Sequence, residues 1–243
     1  MPVTVGGRRA PAGGPRPPAH LRSPEVRVVP LAADDRALER ERLLLAPAER
    51  AHADRGTTSV ARRRAMLRAG LRRLVGEVLA VPPATVPLRS GSHGRPELDV
   101  DGVDVACSRT GDVGLIAVAA GLRLGIDVEA ITPWHDDVLD EDWLSPAEQH
   151  ALRWLDPGAR AAAATRCWTR KEAVLKGIGT GMTDAVADLE AGIGEDVVLV
   201  AGWRVHDVPV PPGAVASIAM LPVGTDPFGT PTPERSSHGH AHH

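Results

Sequence analysis

Two hydrophobic rhythms run along the chain. From Thr58 to Ala80, Leu67, Leu71, Leu74, Val75 and Val78 recur at helical spacing, and Pro82 and Pro83 stop the pattern. Arg64, Arg68 and Arg72 fall four apart on another face of the same predicted helix. Asp34 to Leu45 reads as a helix with Asp34 near its cap, and Ser145 to Leu155 and Ala159 to Lys176 read as two more. Short runs rich in Val, Leu, Ile and Ala predict strands at Glu25 to Leu31, Val103 to Cys107, Val113 to Ala119, Leu122 to Glu129, Asp196 to Arg204 and Ala214 to Met220. A Gly/Pro-rich loop, Ser90 to Glu97, separates the helical and strand-rich parts of the first half. The pattern is mixed α and β, with helix and strands in each half. It predicts an α+β fold whose halves, 25–120 and 121–222, are two similar subdomains.

Both ends lack this patterning. Residues 1–24 are rich in Pro, Gly and Arg, and residues 223–243 end in His238, His240, His242 and His243. Neither can bury apolar surface, so disordered tails are expected. With no apolar run after Arg8 and Arg9, no secretory signal is expected.

Composition sets the bounds of function. Hydrophobic residues make up 43% of the 243, enough for a core, but aromatics only 2% and Tyr is absent. Aliphatic side chains must do most of the packing. No segment reaches the ~18 apolar residues of a membrane span. Cys107 and Cys167 form neither a disulfide framework nor a metal-ligand spacing, which favours a reducing, cytoplasmic setting. The formal charge is −3, yet Arg62, Arg63, Arg64, Arg68, Arg72 and Arg73 crowd one stretch. Such a cluster suits phosphate or an acidic partner, and equally a solvated helix face, the blander and preferred reading. With the basic residues so local, nucleic acid is not an expected partner.

Candidate chemistry lies in three places. In Gly125-Ile126-Asp127-Val128-Glu129, strand alternation turns Ile126 and Val128 to one side and Asp127 and Glu129 together to the other. Paired carboxylates repel unless a cation joins them, and a hard divalent ion such as magnesium takes oxygen ligands. An exposed strand with two solvated acids is the competing reading. In Trp168-Thr169-Arg170-Lys171-Glu172-Ala173-Val174-Leu175-Lys176, Glu172 and Lys176 share a helix face. They read either as a surface pair or as an acid that binds metal or takes a proton, beside a lysine that meets phosphate. The glycines behind Lys176 end the helix. Third, Arg95 in Gly94-Arg95-Pro96 and Arg109 in Ser108-Arg109-Thr110 offer guanidinium groups for phosphate.

In combination these pieces resemble the Sfp-type 4′-phosphopantetheinyl transferases. The family pairs a Gly-Val/Ile-Asp-x-Glu strand with a later Trp-x-x-Lys-Glu-x-x-x-Lys helix and following glycines. Here these are Gly125 to Ile131 and Trp168 to Met182. Gly94-Arg95-Pro96 resembles the family's Gly-Lys/Arg-Pro loop, and Leu144 to Glu148 its Leu-Ser-x-x-Glu helix start. The likeness spans roughly Leu44 to Met220 and is weak before Ser90.

The resemblance implies two related subdomains packed as a pseudo-dimer within a monomer. It implies transfer of 4′-phosphopantetheine from coenzyme A to a serine of an apo acyl or peptidyl carrier protein, releasing 3′,5′-ADP. That is holo-[acyl-carrier-protein] synthase activity, serving fatty-acid, polyketide or nonribosomal peptide synthesis. It implies Asp127, Glu129 and Glu172 as ligands of magnesium, with manganese as the alternative. Asp127, Glu172 and Lys176 become the catalytic group. Arg55, Arg63, Arg95, Pro96, Ser108, Arg109 and Lys176 become the coenzyme A contacts, with the Arg55 and Arg63 alignment open to a slip of one residue. Many relatives carry a histidine where Arg109 stands. An arginine keeps the positive charge and can chelate phosphate, but it cannot shuttle a proton. The rival readings are another magnesium-dependent hydrolase or kinase, against which no Walker loop or kinase motif set is found, and a binding module without turnover.

Overall fold

The computed structural model describes residues 23–91, 94–135, 139, 142–179 and 186–225. Most of both expected tails, and residues 180–182 behind Lys176, lie outside the described residues. Strand β1 (Glu25–Pro30) leads into helices α1 (Asp35–Arg42), α2 (Pro47–Ala53) and α3 (Thr58–Leu79). Asp34 caps α1 by accepting from Ala37 N at 2.6 Å. α3 buries Leu67, Leu71, Leu74 and Val75 against the first sheet. It ends at Ala80, whose φ of 54° is left-handed, just before the two prolines.

A short hairpin, β2 (Leu88–Ser90) and β3 (Pro96–Leu98), precedes β4 (Val103–Thr110) and β5 (Val113–Ala120). The second half holds β6 (Leu122–Ala130), α4 (Pro146–Arg153), α5 (Pro157–Ile178), β7 (Val198–Val200), β8 (Trp203–Asp207) and β9 (Ala214–Pro222). The strand orders are β1-β5-β4 and β6-β9-β8-β7, all antiparallel. In each sheet the first strand of the half lies beside the last, and the last beside the one before it. Each half also supplies one helix of 22 residues, α3 or α5.

The two sheets meet where β4 lies against β6. Leu124 N donates to Asp104 Oδ2 at 2.8 Å, and hydroxyls of β4 reach carboxylates of β6. Behind this seam Ile126 and Val128 pack with Leu115, Ala117, Ala119 and Ile218. On the other side α5 presses onto β6 so closely that a Cβ on Gly125 would lie 1.8 Å from the Ala173 carbonyl oxygen. One turn later Gly177 leaves room for the buried Trp203 ring, which a Cβ would meet at 2.5 Å. These glycines let α5 lie flat on the sheet, and that contact sets how near Glu172 and Lys176 come to Asp127.

The arginines of α3 are bound within the chain. Arg62 pairs with Asp35, Arg63 with Asp112, Arg73 with Glu41, and Arg68 and Arg72 with Glu49. Arg64 donates to the Arg55 carbonyl at 2.6 Å. Arg72 is buried and also donates to the carbonyls of Pro83, Ala84 and Val86. The cluster staples α3 to α1, α2 and the loops around it, which is neither an open docking face nor a freely solvated one.

Elsewhere the expected elements form with ends shifted by a few residues. The region Asp196 to Arg204, expected as one strand, folds back on itself as the β7–β8 hairpin. Val200 pairs with Trp203 across Ala201 and Gly202, whose φ values of 47° and 81° make a two-residue turn of the primed type. Alanine at the first turn position hides this turn from a reading of residue preference. α2 also escaped the periodicity, being a single short helix begun by Pro47.

Candidate functional site

Asp127 sits in the middle of β6 and is 1% exposed. Its Oδ1 accepts from Ser108 Oγ at 2.8 Å and from Lys176 Nζ at 2.5 Å, and the lysine donates to Ser108 Oγ at 3.1 Å. Three elements thus converge on one oxygen: β4, β6 and α5. The second oxygen, Oδ2, is buried and has no hydrogen-bond partner. Asp127 is therefore no solvated acid on an exposed strand.

Glu129, two residues on, accepts from Thr110 Oγ1 at 3.2 Å. The hydroxyls at 108 and 110 face the carboxylates at 127 and 129, matching the period of two on both strands. Thr110 is a site residue that the motifs did not single out, although its alternation with Ser108 signals it. Burial, then the charge of Asp127, pushes the Glu129 carboxyl above the usual glutamate range, against Thr110 and Lys176. Glu172 is also pushed up, chiefly by burial, with Asp127 adding to the effect and Lys176 opposing it.

Asp127, Glu129 and Glu172 carry oxygen donors, the type of ligand a hard divalent cation takes, and Asp127 Oδ2 has no partner. As they stand, Lys176 supplies the positive charge. Among the described residues no three His, Cys, Asp or Glu side chains are gathered closely enough to hold a metal ion.

The basic residues divide into two groups. Arg109 is partly buried and makes no ion pair among the described residues, so its guanidinium is available. Arg95, by contrast, is fully engaged. It donates to Asp104 Oδ2 at 2.8 Å, Leu124 O at 2.9 Å, Gly177 O at 3.4 Å and the Lys176 carbonyl. With Arg123, which donates to Gly177 O at 3.1 Å, it caps the last carbonyls of α5, where a cation is favoured. Pro96 is buried at the start of β3. A cavity of about 470 Å³ opens beside this cap, lined by Arg95, Asp104, Arg123, Gly177 and Gly179, and Asp127, Glu129 and Glu172 are not among its walls.

Arg63 is held by Asp112 at 2.7 Å, whereas Arg64 meets Arg55 and His52. Burial first, then Arg64, Arg55 and Arg68, holds His52 below the usual histidine range. His52 Cε1 stands 3.9 Å from where a Cβ on Gly94 would be, so this basic group borders the Gly94-Arg95-Pro96 loop.

Lys171, which belongs to the same motif, is fully buried. It donates to Trp143 O at 2.7 Å and pairs with Glu148 at 2.6 Å. The Leu144–Glu148 segment and the Trp168–Lys176 segment are thus two sides of one internal lock. Trp168 joins it, its ring centroid 5.3 Å from that of Trp143.

Residues 123–196 match the family model of the 4′-phosphopantetheinyl transferase superfamily. The chain is also 30% identical over 122 residues to a protein of Synechocystis sp. named "Putative 4'-phosphopantetheinyl transferase". That match covers 48% of this chain and 49% of the relative, so the chain spans about half the length of the relative it matches. The matched segment 123–196 contains Asp127, Glu129, Lys171, Glu172 and Lys176.

Proposed function

We propose that this chain is a phosphopantetheinyl transferase that moves 4′-phosphopantetheine from coenzyme A to a serine of an apo carrier protein. The observation that carries the reading is the convergence of Asp127, Glu129, Glu172 and Lys176 inside the segment that matches the superfamily. In this reading residues 25–120 and 121–222 are related subdomains of a monomer, and the reaction runs in the cytoplasm. No helix among the described residues is long and apolar enough to cross a membrane.

Asp127, Glu129 and Glu172 would hold magnesium or manganese, which when bound neutralises charge on the diphosphate. Ser108 and Lys176 fix Asp127 from one side and leave its Oδ2 for that ion. The carrier serine oxygen bonds to the β-phosphorus, and the bond from phosphorus to 3′,5′-ADP breaks. Displacements of this kind depend on positioning and on charge neutralisation. Lys176 and Arg109 supply positive charge to the phosphate oxygens. Glu172 takes the serine proton. Arg55, with Arg64 or Arg63, meets the 3′-phosphate. Arg95 serves the site by closing α5 and holding the loop that carries Pro96.

The test is to incubate the protein with coenzyme A, magnesium and apo carrier proteins of fatty-acid, polyketide and nonribosomal peptide type, and to weigh the carriers. A gain of one phosphopantetheine per serine is expected, abolished by Asp127→Ala. No gain on any of several unrelated carriers would overturn the reading.

A further inference from the structure

The last turn of α5 is weak by sequence. It runs Lys176-Gly177-Ile178, and Gly179, at a φ of 86°, closes it. Glycine is a poor helix former, so this turn depends on support from outside. A helix also leaves its last four carbonyls without a partner of its own. Here the Leu175 carbonyl accepts from Gly179 N at 2.9 Å. The Lys176 carbonyl accepts from Arg95, the Gly177 carbonyl from Arg95 and Arg123, and the Ile178 carbonyl from Arg123 at 3.3 Å.

Arg95 is itself aimed by other groups. Its Nη2 donates to Asp104 Oδ2 at 2.8 Å and to Leu124 O at 2.9 Å, and Asp104 Oδ2 also accepts from Leu124 N at 2.8 Å. The other oxygen of Asp104 accepts from Val105 N at 2.9 Å. With Nη2 clamped, Nη1 is the arm that reaches α5. Asp104 stands four positions before Ser108 on β4 and shares its face. One strand therefore grips Lys176 twice. Ser108 holds its ammonium at 3.1 Å, and Asp104, through Arg95, holds its carbonyl.

We propose that Asp104 is a positioning residue for Lys176, acting through Arg95. The inference rests on the phosphopantetheinyl transferase reading for its catalytic meaning and adds a residue that lies outside the motifs. Arg95 is spent on the end of α5 and does not contact phosphate. Asp104 belongs to the first half of the chain and Lys176 to the second, so the lysine stands in place only with the seam between β4 and β6 formed.

The chain has only two lysines, Lys171 and Lys176, and Lys171 is fully buried. A brief pulse of acetic anhydride, read by mass spectrometry, thus reports on Lys176. In Asp104→Ala and in Arg95→Ala, Lys176 should react about tenfold faster than in the wild type, within the coupling expected inside one hydrogen-bond network. Lys171 should stay protected, and the double variant should react no faster than either single one. Asp104→Asn repeats the measurement if Asp104→Ala does not fold. Turnover with coenzyme A and a carrier protein should fall by a similar factor in both single variants. Wild-type reactivity of Lys176 in Asp104→Ala overturns the inference, as does faster reaction of Lys171, the sign of general loosening. A raised KM for coenzyme A in Arg95→Ala with a normal one in Asp104→Ala also overturns it. No transfer by the wild type, together with the expected labelling, overturns the proposed function and leaves the link from Asp104 to Lys176 standing.

Discussion

Lys171 and Glu148 form an ion pair of 2.6 Å with the lysine side chain fully buried and the glutamate 2% exposed. The lysine adds the Trp143 carbonyl. Glu148 adds the backbone N–H groups of Ser145, Ala191 and Gly192. α4, α5 and the segment after α5 are thereby fixed to one another. Breaking a buried pair from one side leaves a charge without compensation. Lys171→Met should therefore lower stability by about 3–5 kcal/mol in urea unfolding, and a further Glu148→Gln should restore part of it. Unchanged stability with lost activity would mean that Lys171 contacts substrate instead.

A second prediction concerns pH. Burial, with repulsion from Asp127, holds Glu129 and Glu172 above the ordinary glutamate value of 4.5. Between that value and their higher folded ones, the native state keeps protons that the unfolded chain has released. Stability from these groups thus falls as pH rises through that window. In chelator, Glu129→Gln and Glu172→Gln should each raise the melting temperature at pH 7 by no more than a few degrees, and the gain should vanish below pH about 4. Magnesium should raise the melting temperature of the wild type and not of the double variant.

Gly125 is where helix meets strand. A Cβ there would strike the Ala173 carbonyl and, at 2.6 Å, the Gly177 nitrogen, both backbone atoms that cannot turn aside. Gly125→Ala should cost about 3 kcal/mol or more by thermal melting, at the upper end of overpacking costs. Gly194→Ala, with open space around it, should stay within about 0.5 kcal/mol of the wild type.

The proposed function separates the arginines into a structural group and a coenzyme A-binding group. Arg72→Met should lose about 3–5 kcal/mol of stability, because it leaves Glu49 buried with weaker compensation. The KM for coenzyme A of its folded fraction should not change. Arg55→Ala and Arg64→Ala should each raise that KM about tenfold, or about 1.4 kcal/mol. Arg63→Ala, whose side chain is already tied to Asp112, should raise it less. The reverse order for Arg63 and Arg64 would place the 3′-phosphate one residue earlier on α3.

Much of this was legible before the fold was seen, for reasons that differ by residue. The period of two in β6 predicted that Ile126 and Val128 turn away from Asp127 and Glu129, and helical spacing put Glu172 and Lys176 on one face. Those are local properties. What lies across sequence distance was not legible. Charge count could not say that the arginines of α3 have internal partners, because Asp112 and Glu41 come from other elements. Nor could it show that Arg95 closes α5, more than eighty positions later, instead of standing open to solvent. The Ala201-Gly202 turn was hidden because its left-handed alanine follows from the pairing of β7 with β8.

The seam between β4 and β6 has a consequence for synthesis of the chain. The hydroxyls that hold the acids precede Gly121, and the acids follow it. The glutamate and lysine that finish the group are at the end of α5. A product that ends before β6 carries Ser108 and Thr110 but none of Asp127, Glu129, Glu172 and Lys176. The group is complete only once the second long helix has been made.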